Sequence, residues 1–130
     1  MFSATFDMIR QATAADAEAV FALAQDFATS FVMEENAFRV SFEALLNDPN
    51  ACLVVAETED RVIGYALAFS HHTFFANGRV AWIEEIMVHS DFRKQGIGKA
   101  LVQNIEVWAT NQNCRLIALA TRRASAFYSA

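Results

Sequence analysis

The apolar positions of this chain recur at two spacings, and the switch between them lays out its elements. Phe6 to Arg10 can form a short first strand. Thr13-Ala14-Ala15-Asp16 has the form of a capping box, and Val20, Leu23, Ala24 and Phe27 follow at helical spacing, so a first helix is expected there. From Phe27 to Val40 polar and aromatic residues mix with no steady period. Ser41 is then expected to cap a short second helix that ends near Asp48-Pro49, because the residue before a proline is pushed out of the helical region.

Strand patterns come next. Cys52 to Ala56 is a compact apolar run, Glu57 to Arg61 is charged enough for a turn, and Val62 to Phe69 resumes with apolar and aromatic residues around Gly64. A hairpin is predicted. Asn77-Gly78 marks a further turn, after which Val80 to Val88 should pair as the next antiparallel strand. Leu101, Val102, Ile105, Trp108 and Ala109 form one helical stripe, and Leu116 to Ala120 reads as a last strand. A strand, helix, strand succession implies a parallel pair with a right-handed crossover. The expected class is therefore α/β in the mixed (α+β) sense: a mostly antiparallel sheet flanked by helices, with one parallel unit. No repeat, linker or low-complexity segment interrupts residues 1–130, which are read as a single domain.

Composition narrows the partners. With 55% hydrophobic residues and 12 Phe in 130 residues, the chain can fill a two- or three-layer core. A formal charge of -5 and a pI near 5.1 count against nucleic acid and suit a cationic substrate better. Cys52 and Cys114 fall in apolar, strand-like segments of a chain without a secretory leader pattern, so reduced thiols and a cytoplasmic location are expected. No apolar run approaches the roughly 18–20 residues of a membrane span, so no membrane association is expected. His71, His72 and His89 have no metal-ligand spacing with the two cysteines, and no metal is expected.

The chemistry concentrates in Arg93-Lys94-Gln95-Gly96-Ile97-Gly98, between the strand-like run Trp82 to Val88 and the helical run from Lys99. It reads as a phosphate-binding turn: glycines expose backbone amides, the next helix presents its positive N-terminus, and Arg93, Lys94 and Lys99 surround it with cations. A dinucleotide fingerprint would place a third glycine where Leu101 stands. A Walker loop would need glycine at position 93 and a hydroxyl residue in place of Ala100. What remains is Arg-x-x-Gly-x-Gly after a strand ending in Val88, and this resembles the acetyl-coenzyme A signature of the GCN5-related N-acetyltransferases (GNAT). Ile83 to Val88 also resembles that family's fourth strand, and Ala126-Phe127-Tyr128 resembles the Phe-Tyr pair of its last helix. The resemblance spans roughly residues 5 to 130.

That resemblance implies a GNAT-like fold with the parallel strand-helix-strand unit at the acetyl-coenzyme A site. It also implies direct transfer of an acetyl group from acetyl-coenzyme A to a primary amine of a small molecule or peptide, without metal. Backbone groups of Ile86, Met87 and Val88 would hold the pantetheine arm, and Arg93, Lys94, Gln95, Gly96, Ile97, Gly98 and Lys99 the pyrophosphate. Thr121 stands where relatives often carry an Asn that contacts the coenzyme. An alkyl amine with pKa near 10.4 is neutral only to the order of one part in a thousand at pH 7, so a carboxylate base would help. Glu84 and Glu85 are the candidates, and on a regular strand only one of them reaches the site unless a bulge intervenes. Glu84 is favoured because it lies four residues before Val88, as in relatives that use a strand carboxylate; Glu85 is the fallback. Tyr128 corresponds to the tyrosine that protonates the departing thiolate. The acceptor site would be framed by Phe27, Phe31, Glu34, Glu35 and His71 to Phe75.

Relatives continue past the Phe-Tyr pair into two further strands. The expectation is therefore a C-terminally truncated domain, with strand completion or exchange in a homodimer. The rival readings are a noncatalytic acyl-coenzyme A-binding module and a protein-assembly module.

Overall fold

A computed structural model describes residues 8–28 and 31–119. The elements are β1 (Met8–Gln11), a 3-10 turn (Ala14–Asp16) running into α1 (Ala17–Phe27), α2 (Glu35–Leu46), β2 (Ala51–Thr58), β3 (Arg61–Thr73), β4 (Gly78–Val88), a second 3-10 turn (Ser90–Phe92), α3 (Ile97–Asn111) and β5 (Cys114–Leu119). The strands form one sheet in the order β1-β2-β3-β4-β5. Pairing is antiparallel from β1 through β4 and parallel between β4 and β5. The fold is thus the mixed, mostly antiparallel α/β sheet that the hydrophobic pattern predicts.

Each sheet face carries its own core. On one face Val54, Ile63, Ile83, Ile86 and Val88 pack against Ile97, Leu101 and Ile105 of α3. On the other, Leu53, Val55, Tyr65, Leu67 and Met87 pack against Val20 and Leu23 of α1 and Phe42 of α2. The central strands are apolar on both faces because both faces are covered by helices.

Turn chemistry sets the hairpins. Glu59 and Asp60 join β2 to β3 with φ of 49° and 63°, the positive values that a two-residue connection needs to match strand twist. β1 is tied down by Arg10, whose guanidinium forms a two-pronged pair with Asp16 at 2.8 and 2.9 Å and donates from Nε to Glu57 at 2.7 Å. Asp16 is 6% exposed, and its bonds to Arg10 hold its carboxyl below the usual range.

Two boundaries differ most from expectation, beside shifts of one or two residues at the described ends of other strands. α2 begins at Glu35, and Ser41 lies exposed within it instead of capping it. The working signal is Phe38, Phe42 and Leu45, spaced to face one side, which the neighbouring aromatic residues obscure in the sequence. β3 runs on to Thr73, so His71 and His72 are strand residues, held by continued pairing with Val80 and Arg79.

Candidate active site

β4 carries the local feature on which the site depends. Opposite β3, Leu67 pairs with Glu85 and Ala68 with Ile83, which leaves Glu84 as an extra residue in a β-bulge. On a regular strand Ile83 and Glu85, two apart, would share a face. The bulge separates them: Ile83 enters the core under α3, whereas Glu85 turns to the face covered by α1 and α2. Glu84 itself is exposed.

Glu85 lines a cavity of about 410 Å³ between that face and the two helices. Phe27, Phe38, Phe42, Leu45 and Leu67 contribute much of its wall, and Glu34 and Glu85 are the carboxylates among its described lining residues. The hydroxyl of Tyr65, a residue 1% exposed, donates to Glu85 Oε1 at 2.7 Å. Burial pushes the Glu85 carboxyl above its ordinary value, the Tyr65 hydrogen bond pulls it partly back, and the nearby charge of Glu84 adds to the rise. A carboxylate of raised basicity in an apolar cavity is suited to accept a proton near neutral pH.

At the end of β4 the chain passes into the glycine turn. Among the described residues, pairing of β4 with β5 ends at Ile83 and Leu119, ahead of the bulge, and residues 85–88 pair with Gly64 to Leu67 of β3. Arg93 folds back and donates from Nε to the Val88 carbonyl at 2.9 Å, pinning the turn to the strand. Lys94 has φ of 63° and Gly96 has φ of 85°; Gly96 is the N-cap of α3 and no side chain caps this end. The first bond of the helix runs from the Ala100 amide to the Gly96 carbonyl at 3.0 Å. The amides of Ile97, Gly98 and Lys99 thus lack acceptors within the helix and, with its dipole, form a cradle that fits a phosphate group. Lys94, Gln95 and Lys99 are exposed around it.

Ile86, Met87 and Val88 lead from Glu85 to the turn at residues 93–99; Met87 packs in the core of the α1–α2 face, Ile86 and Val88 in that under α3, and none of residues 86–99 is among the described lining residues of the Glu85 cavity. Thr121 and Tyr128 lie outside the described residues. Of the residues expected around the acceptor, Phe27 and Glu34 line the cavity. Phe31 is exposed, Glu35 pairs with Arg39 on the surface of α2 at 3.0 Å, and Phe74 and Phe75 are exposed in the turn after β3. Tyr65, Phe38 and Phe42 were not singled out by sequence reasoning. Tyr65 was detectable only from register: it sits opposite Met87, which makes Glu85 its diagonal neighbour on the same face. No described helix is long and apolar enough to cross a membrane.

Comparison with known proteins adds a family. The sequence profile described as the acetyltransferase (GNAT) family matches residues 17–129. Aminoglycoside N(6')-acetyltransferase type 1 of Salmonella typhimurium is 31% identical over 80 residues, covering 58% of this chain and 54% of that protein. The chain spans about half the length of the curated relatives it matches. A transcriptional regulator from Bacillus halodurans C-125 superimposes with a TM-score of 0.81 at 28% identity, over 94% of this chain and 89% of that one. Aminoglycoside N-acetyltransferase AAC(6')-Iy, solved in complex with CoA, gives a TM-score of 0.81 at 25% identity, over 94% of this chain and 81% of that one.

Proposed function

The chain belongs to the GNAT acetyltransferase family, and from that membership we propose that it transfers an acetyl group from acetyl-coenzyme A to a primary amine, with Glu85 as the general base. The observation that carries the proposal is Glu85 itself. It is the carboxylate that the bulge turns into the apolar cavity, next to the strand segment that leads to the phosphate cradle. The CoA complex of the similar aminoglycoside N-acetyltransferase supports the choice of cosubstrate.

Acetyl-coenzyme A supplies an acetyl group activated as a thioester. The amides at the start of α3 would hold its pyrophosphate, and the backbone of residues 86–88 its pantetheine arm. Arg93 holds the turn in place through the Val88 carbonyl and the Met87 sulfur, and its Nη1 donors would face the anion. Glu85 takes the proton from the incoming ammonium, which yields the neutral amine that attacks. Tyr65 fixes the carboxylate orientation. Glu84, exposed at the bulge, is assigned the geometric role and not the proton transfer. The resemblance of the terminal Phe-Tyr pair assigns Tyr128 the protonation of the departing thiolate, and Thr121, standing where relatives often carry an Asn, would contact the coenzyme arm.

Isothermal titration with acetyl-coenzyme A, with NAD as control, tests the first half of this reading. Thiol release across an amine panel tests the second. Selective binding of acetyl-coenzyme A with turnover that Glu85→Gln removes is the expected result. Binding without turnover of any amine would instead identify a noncatalytic acyl-coenzyme A module.

A further inference from the structure

The cavity that holds Glu85 differs in character from what a polycationic, heavily hydroxylated acceptor requires. Each additional ammonium buried in it would need its own carboxylate, and each hydroxyl its own hydrogen-bonding partner. Among the described lining residues the carboxylates are Glu85, half-buried against Tyr65, and Glu34, exposed at the helix end of the wall. The remaining wall is formed mainly by aromatic and aliphatic side chains, with Phe38 in tilted ring contact with Phe42 at 5.5 Å in the wall and with Phe21 at 5.0 Å behind it. No Lys, Arg, Asn or Gln is among the described lining residues.

We infer that the acceptor is a monoamine carried on an apolar, aryl or alkyl body, with the single amino group directed to Glu85 and the body seated among Phe38, Phe42, Leu45 and Leu67. The inference rests on the transferase reading and separates this chain from its aminoglycoside-acetylating relatives by substrate class. An apolar body gains from leaving water and from contact with the phenyl faces, and its one ammonium is matched by the half-buried Glu85 carboxylate. A polyamine or aminoglycoside would either strand charges against the phenyl wall or remain outside with its amino group out of reach of Glu85.

The test compares 2-phenylethylamine, hexylamine, spermidine and kanamycin as acceptors, read by thiol release at saturating acetyl-coenzyme A. Amine binding without cosubstrate is read in parallel by saturation-transfer NMR. The expected result is a kcat/KM for 2-phenylethylamine or hexylamine at least about tenfold above that for spermidine and kanamycin, with NMR contacts to the apolar body. Ala37→Glu adds a carboxylate on the exposed side of α2 at the cavity wall. It should narrow that ratio by favouring spermidine. Equal or better turnover of kanamycin overturns the substrate class while leaving the transferase reading intact. Absence of 2-phenylethylamine and hexylamine binding overturns the inference whether or not any amine is acetylated. Failure of every amine to turn over while these two apolar amines still bind sinks the transferase reading, and with it the acceptor role, and leaves the cavity as a binding site for apolar amines.

Discussion

Glu85 is held between opposing influences. Burial favours its neutral form, and the Tyr65 hydroxyl favours its charged form. Because the folded pKa stands above the unfolded value of 4.5, the folded state holds this proton more tightly. Its contribution to stability is then fully present below pH 4.5 and is lost as the pH rises through the folded pKa. Glu85→Gln retains an acceptor for Tyr65 and removes the buried charge. It should therefore raise the melting temperature at pH 7 to 8 while lowering kcat by about 10²- to 10⁴-fold. The pH profile of wild-type kcat/KM should show an acidic limb with an apparent pKa above the ordinary glutamate value, absent from the variant's residual rate. An unchanged kcat in Glu85→Gln would return the base role to Glu84, whose own Gln variant is expected to be close to wild type.

The bulge on β4 and the cap of α3 work as elements and depend little on the chemistry of the residues that build them. Deleting Glu84 would restore a regular ladder in which Ile83 and Glu85, now adjacent, still face opposite sides of the sheet. The fold should survive, but β4 would lose the bend and added twist that a bulge gives to a strand. Acetyl-coenzyme A affinity should then fall about tenfold or more, whereas Glu84→Ala, which keeps the extra residue, should bind normally. Titration calorimetry with far-UV circular dichroism as a folding control separates the two. At Gly96 a side chain would meet nothing within 4 Å, so φ of 85° and not space calls for glycine. Gly96→Asn should consequently be better tolerated than Gly96→Val, with roughly 1 kcal/mol or more between them in thermal or urea melts. Equal stabilities would mean that the turn relaxes out of the left-handed region.

At the scale of the molecule the two sheet faces divide the work, and this division decides what sequence could reveal. The order of elements was legible because each strand or helix writes its own period, as Leu101, Ile105 and Ala109 do on α3. The turn ahead of α3 was legible because glycine and basic residues are local signals. The bulge, the Tyr65–Glu85 bond and the Phe38–Phe42 wall were not, since each depends on register or packing between segments far apart in the chain. On the α3 face Leu101 and Ile105 are fully buried, so truncation there removes core contacts outright. The α1–α2 face leaves a cavity, and the residues around it are free to set selectivity at smaller structural cost. Leu101→Ala should therefore lose about 2–5 kcal/mol in urea unfolding, with KM for a suitable amine little changed in the folded fraction. Phe38→Ala, at a half-buried position lining the cavity, should lose less stability yet raise KM for an apolar amine by about tenfold. If Phe38→Ala proved the more destabilising of the two, with KM unmoved, the cavity would be a packing defect of the second core and not the acceptor site.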